Sequence, residues 1–238
     1  MHTYIEYSFA LLYLFFWSVG FYIQLYILLR TKNSNGYSLD SQVLSIISMF
    51  GYSVYNVYFV IYEKRDFVSV CDLVTSTQIF VLSVLIFILT LRYPRTVNQF
   101  HPSVYLVIPI LLLLSLLFYL TASKTEQVGQ KSFILFFGVS NSILDSLQNI
   151  YQIALNHERK SCEGFAIEII TGEALASILM LVEQLIEITE NGRANLNTPK
   201  IILAAGMLTT DAIIIYQRYV LYKTEPLDSN DIKQIQIE

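Results

Sequence analysis

Three carboxyls inside apolar runs are the residues of this sequence best suited to chemistry. Glu173 stands about 12 Å into the run 165–188, at 1.5 Å per residue, and Asp211 lies near the middle of the run 201–221. Asp145 sits in the run 133–155 with Asn141, Gln148, Gln152 and Asn156. At about 100° per residue those five polar groups fall within roughly 80° of one helix face. A polar or charged group in hydrocarbon costs free energy unless it faces protein or water. The stripe is therefore read as lining a path, and the carboxyls as proton carriers. No intramembrane Lys or Arg is read as available to pair with Glu173 or Asp211; Arg218, near the end of the last run, is counted with the cytosolic charges.

The elements that must position these groups are membrane helices. The chain has 238 residues, 54% hydrophobic and 14% charged, against about 25% charged in an ordinary soluble domain. The apolar residues come as seven runs, each about long enough to cross a bilayer: 9–29, 43–62, 73–91, 104–120, 133–155, 165–188 and 201–221. No run has the alternation of a barrel strand, so the expected fold is an all-α integral membrane protein of seven transmembrane helices. The first run is too long for a signal core and lacks a basic flank, so it reads as a retained span. With seven spans and an N-terminus outside, the cytosolic side holds Arg30, Lys32, Arg92, Arg95, Arg159, Lys160, Arg218, Lys223 and Lys233. The other side holds Lys64, Arg65, Lys124, Lys131, Arg193 and Lys200. That bias places the N-terminus in the lumen and the C-terminus in the cytosol.

The spans repeat at an offset of 128 residues: Gln24 maps onto Gln152, Lys32 onto Lys160, Gly36 onto Gly164 and Asp40 onto the acidic Glu168. Run 73–91 maps onto the last span in the same way. The expected organisation is 3+1+3: a three-helix bundle over 1–92, a linker helix within 93–131, a second bundle over 132–222 and a cytosolic tail, 223–238. One intervening span makes the two bundles parallel, a plan known among SWEET-type transporters.

The string Trp17-Ser18-Val19-Gly20-Phe21-Tyr22-Ile23-Gln24, followed by Lys32, Gly36, Ser38, Asp40 and 51–56, resembles the first PQ loop of the cystinosin family of PQ-loop transporters. Gln152 to Asn156, Lys160-Ser161, Glu163-Gly164 and Glu173 resemble its second. The resemblance covers nearly all the chain and thins over about 93–132. It implies a 3+1+3 transporter moving cystine with protons out of an acidic lysosomal, endosomal or vacuolar lumen. It implies proton binding at Asp40, Asp72, Glu173 and Asp211, and a substrate site lined by Trp17, Phe21, Gln152 and Asn156; the repeat adds Gln24, and the polar stripe adds Asn141, Asp145 and Gln148. Protons are the coupling ion, and no other cofactor is implied.

The sequence departs from the family where Ile23 and Tyr151 replace the prolines of the PQ dipeptides, which removes a helix kink. Gly20 is a candidate source of pliability in its place. Asn141 and Gln148 stand where the family has lysines, and Asp145 where it has a neutral residue. That acidic shift leaves a cationic amino acid open as an alternative substrate.

Blander readings stand beside these. Asp40 and Asp72 begin helices, where Asp is a favoured cap. Gln24 and Gln152 could be helix–helix glue, and Trp17, Phe21, Tyr22 and Tyr26 could simply pack. Glu183, Glu187 and Glu190 read as a solvated ridge. Cys71 and Cys162 fall on opposite sides in this topology, so no disulfide is expected, and no cluster of metal ligands stands out. There is no phosphate loop or nucleophile elbow, so an enzyme is not expected, and no basic patch points to nucleic acid. The partners expected are a small-molecule amino acid and the lipid bilayer. A sorting receptor of the KDEL-receptor kind shares the 3+1+3 plan, but it would need basic groups in the cavity.

Overall fold

The computed structural model describes residues 2–63, 70–94, 106, 109–110, 113–117, 120, 126–191 and 197–223. They form helices. α1 spans His2–Thr31, α2 Leu39–Val57, α3 Val70–Arg92, α4 Glu126–Arg159, α5 Ile167–Asn191 and α6 Thr198–Tyr216. α2 and α6 each run on into a π-helical segment, Tyr58–Glu63 and Gln217–Leu221. There is no strand among the described residues.

Local chemistry sets the helix ends. Ser38 caps α2 by accepting from Ser41 N at 3.3 Å. Asn197 caps α6 by accepting from Lys200 N at 3.2 Å, with Pro199 in the first turn, where its missing N–H costs nothing. α1 and α4 both stop at a lysine forced into the left-handed region, Lys32 at φ 50° and Lys160 at φ 52°.

Among the described residues, five helices are long and apolar enough to cross a bilayer: Ser8–Thr31, Leu39–Ile61, Val70–Arg92, Ile167–Ile186 and Thr198–Leu221. α4 is longer than any of these at 34 residues, about 50 Å at 1.5 Å per residue, but its polar stripe dilutes its apolar character. Of the expected fourth span, 104–120, residues 106, 109–110, 113–117 and 120 are described, all helical; the residues just before α4 and the tail beyond 223 lie outside the described residues. Polarity is inverted relative to a water-soluble domain. Phe15, Ile88, Ile150 and Leu185 are exposed, while Gln42, Ser48, Asn56, Asp145, Asn156 and Asp211 are fully buried. This is an all-α integral membrane protein.

The six helices pack in a closed order. α1 packs on α3 and α5, α2 on α3 and α4, and α6 on both α4 and α5. Polar side chains at the inward faces therefore meet across the ring. Where two helices close, small residues permit it: a Cβ on Gly20 would run into the backbone of Ile169 on α5, and one on Gly172 into Phe16 O on α1. Gly20 is thus a packing contact inside an unbroken helix. α1 and α4 also continue without a break through Ile23 and Tyr151, the positions of the missing prolines.

Candidate functional site

The inner face of α4 supplies most of the site. Ser48 on α2 donates to Asn141 Oδ1 and stands 2.8 Å from Asp145 Oδ1. Asn149 donates through Nδ2 to Asp211 Oδ1 at 2.9 Å and lies 3.2 Å from Thr210 Oγ1. Glu173 on α5 faces the side chains of Asn149 and Trp17, and its charge is felt by both Asp211 and Asp145. The three carboxyls form one buried cluster contributed by α4, α5 and α6. Each keeps one oxygen without a hydrogen-bond partner: Asp145 Oδ2, Glu173 Oε2 and Asp211 Oδ2. Asn141 Nδ2 and Gln148 Oε1 are unpartnered as well. Buried polar atoms are rarely left this way, and a carboxylate oxygen least of all. A proton or a cationic group would satisfy the three carboxyl oxygens and a cationic donor Gln148 Oε1, whereas Asn141 Nδ2 is itself a donor and needs an acceptor.

At one end of the ring, residues 128 apart in sequence make matching contacts. Gln152 donates to Gly36 O at 3.0 Å and accepts from Ser38 N at 2.9 Å. Gln24 donates to Gly164 O at 3.5 Å and accepts from Ala166 N at 2.8 Å. A Cβ on Gly36 would overlap Gly164, which itself sits at φ +83°, so this crossing needs glycine at both positions. Tyr37 stacks on Phe165 beside them, with ring centroids 5.6 Å apart. Burial, aided by the charge of Glu173, pushes the Tyr37 phenol well above its ordinary range, so it remains a neutral hydroxyl. Asn156 ties the crossing to the π-helical segment after α6. Its Oδ1 accepts from Gln152 Nε2 at 2.9 Å, and its Nδ2 donates to Gln217 Oε1 at 3.1 Å.

The other end holds a buried ion cluster that the sequence reading missed. Lys200, counted there among loop charges, is 1% exposed. Its Nζ lies 3.2 Å from Asp72 Oδ1 and 2.8 Å from Glu183 Oε2, and 4.6 Å from the centroid of the Tyr13 ring. The Tyr13 hydroxyl donates to Asp72 Oδ1. Two expectations change. Glu183 is not on a solvated face, because its carboxyl closes a buried ion pair. A lysine does lie within the apolar helices, but it pairs with Asp72 and Glu183. The side chains of Glu187 and Glu190 lie outside the described residues.

The site residues expected from sequence thus divide into groups. Asp145, Glu173, Asp211, Asn141 and Trp17 surround the carboxyl cluster. Gln148 shares the buried face of α4, and Phe21 is buried in the main apolar core. Gln24, Gln152 and Asn156 hold the glycine crossing. Asp72 belongs to the lysine cluster, and Asp40 is buried in the first turn of α2, whose cap is Ser38. Asn149, Ser48, Tyr13 and Lys200 were not anticipated. Asn149 lies only about 20° beyond the stripe drawn on α4, and Lys200 falls 128 residues after Asp72, the offset at which the sequence matches itself. Both cysteines are free.

No family model matches the chain. It is similar to a protein named cystinosin homolog from Dictyostelium discoideum, 24% identical over 221 residues, 87% of this chain and 78% of the relative. It is likewise similar to a cystinosin homolog from Caenorhabditis elegans, 24% identical over 235 residues, 92% of this chain and 58% of that longer relative. The resemblance to the cystinosin family therefore runs along nearly the whole chain, at a distance.

Proposed function

We propose, from this distant kinship with the cystinosin family, that the protein is a proton-coupled transporter exporting cystine or a related amino acid from an acidic lumen to the cytosol. The observation that carries the reading is the cluster of Asp145, Glu173 and Asp211, buried together with one oxygen unpartnered on each. Like charges so placed and dry are costly when all are ionised. Protons taken from an acidic compartment, or the ammonium of a substrate, relieve that cost. Groups of this kind couple proton movement to substrate movement.

Alternating access supplies the rest. The glycine crossing at Gly36 and Gly164 closes one end of the ring and the Lys200 cluster the other. In this reading each opens in turn around the carboxyls. Two parallel three-helix bundles, 1–92 and 132–222, joined by a helix within 93–131, account for the pairing of residues 128 apart at both ends. They would give seven spans, with the N-terminus lumenal, the tail 223–238 cytosolic and the crossing on the cytosolic side. A lysosomal, endosomal or vacuolar membrane provides the required gradient.

A second reading, a carrier of cationic amino acids, is favoured by Asp145 and by Asn141 and Gln148 where the family has lysines. A peptide-tail receptor is disfavoured because Lys200, the fully buried cation among the described residues, is already held between two carboxyls. The test is counterflow of radiolabelled amino acids into proteoliposomes with an imposed pH gradient. Saturable uptake of cystine or lysine accelerated by the gradient supports transport. Ligand binding without flux would replace it with the receptor.

A further inference from the structure

The two halves differ at one corner. After α1, Ser34 Oγ donates toward the carbonyls of Thr90 at 3.2 Å, Pro94 at 3.3 Å and Tyr93 at 3.5 Å. The position 128 residues on is Cys162, buried in the loop after α4, and Arg159 and Arg218 stand where the first half has Thr31 and Thr90. Both guanidiniums lie close enough to Cys162 to act on its thiol by charge. Both are half-buried. Arg159 Nη1 donates to Glu163 O at 2.9 Å, while Arg218 Nη1 is buried with no acceptor. Lys160, on the same turn, has Nζ 3.2 Å from His157 Nε2, and His157 Nδ1 lies 2.8 Å from the Tyr222 hydroxyl. Glu158 and Glu163 are the nearby carboxylates in sequence and both are exposed. Neither is ion-paired with these cations among the described residues.

We propose that this corner binds the phosphate-monoester headgroup of an anionic lipid in the cytosolic leaflet. A general excess of cytosolic Lys and Arg explains exposed cations. It does not explain a half-buried guanidinium pair, absent from the matching corner, with one donor pointing at no acceptor. Two guanidinium forks and an ammonium suit a phosphate monoester, which carries about −1.5 to −2 at neutral pH. The next turn exposes Tyr219, Val220 and Leu221, at 59%, 59% and 52%. Apolar surface beside the cations gives acyl chains a place to lie, which favours a lipid over a soluble phosphate. Assigning the leaflet rests on the cytosolic C-terminus proposed above; the site itself does not.

The experiment is native mass spectrometry of the detergent-purified full chain titrated with dioctanoyl phosphatidylinositol bisphosphate, with dioctanoyl phosphatidylcholine and free inositol trisphosphate as comparison ligands. Wild type retains the bisphosphate lipid in preference to both. Arg159→Gln with Arg218→Gln weakens that binding about tenfold or more, as expected for losing two charge-assisted contacts. Unchanged binding by the double variant, equal binding of phosphatidylcholine, or equally tight binding of the free headgroup would each overturn the site. Should the double variant fail to fold, Arg159→Gln alone decides, since its guanidinium bonds only an exposed loop carbonyl. No transport readout enters, so failure here leaves the transport reading standing.

Discussion

Gln24 and Gln152 make the same pair of hydrogen bonds, each to the loop that follows the other's helix. One amide oxygen accepts from Ala166 N and the other from Ser38 N, while their amide nitrogens reach Gly164 O and Gly36 O. Replacing either glutamine with alanine strands a buried backbone N–H, at a cost of about 1–3 kcal/mol. Thermal unfolding in detergent should drop by similar amounts for Gln24→Ala and Gln152→Ala. A silent variant on one side would show that the two bonds are not equivalent.

The Lys200 cluster gives a sharper asymmetry. Lys200→Met leaves Asp72 and Glu183 without their buried cation and should destabilise by about 3–5 kcal/mol. Adding Asp72→Asn to Lys200→Met should recover part of that loss, because the stranded charge is removed. Unfolding midpoints of the two singles and the double form the cycle. Simple additivity would mean that the pair is not coupled.

Much of this was legible in the residues. The apolar runs that the described residues cover lie in helices, because membrane helices announce themselves by length and hydropathy, although α1 and α4 each begin seven residues before the expected bounds. The α4 stripe was legible for the same reason, since 100° periodicity puts Asn141, Asp145, Gln148, Gln152 and Asn156 together whatever the neighbours are. Partner choice was not. Lys200 looked like a loop charge because it sits in the first turn of α6, and only the arrival of Asp72 from α3 and Glu183 from α5 makes it a buried ion. Gly20 looked like a hinge because nothing local to it reveals that Ile169 packs where its side chain would be.

Cys162 offers a test in the loop after α4. Burial pushes its thiol above the ordinary 9.0, partly opposed by Arg218 and Arg159. A raised value means less thiolate at neutral pH. In a Cys71→Ser background maleimide labelling should therefore be slow near neutrality and accelerate as pH rises. Arg218→Gln removes an opposing cation and should slow labelling at fixed pH, provided the loop stays closed. Faster labelling in that variant would contradict the charge effect of Arg218 on Cys162.

The charge of the carboxyl cluster bears on substrate choice. With Asp145, Glu173 and Asp211 grouped and Lys200 already paired, lysine, arginine and cystine should compete for uptake better than glutamate. Competition at a fixed pH gradient measures this, and preferential transport of glutamate would reject an acidic site.

The central claim is that Glu173 carries the coupling proton, with Asp211 and Asp145 close enough to share it. Glu173→Gln fixes the neutral form, keeps the shape of the side chain and removes the exchangeable proton. Its test is simultaneous measurement of proton and amino-acid flux in proteoliposomes, wild type against variant. The account predicts that Glu173→Gln keeps substrate binding and counterflow but loses acceleration by the pH gradient. Proton coupling undiminished in Glu173→Gln would contradict it.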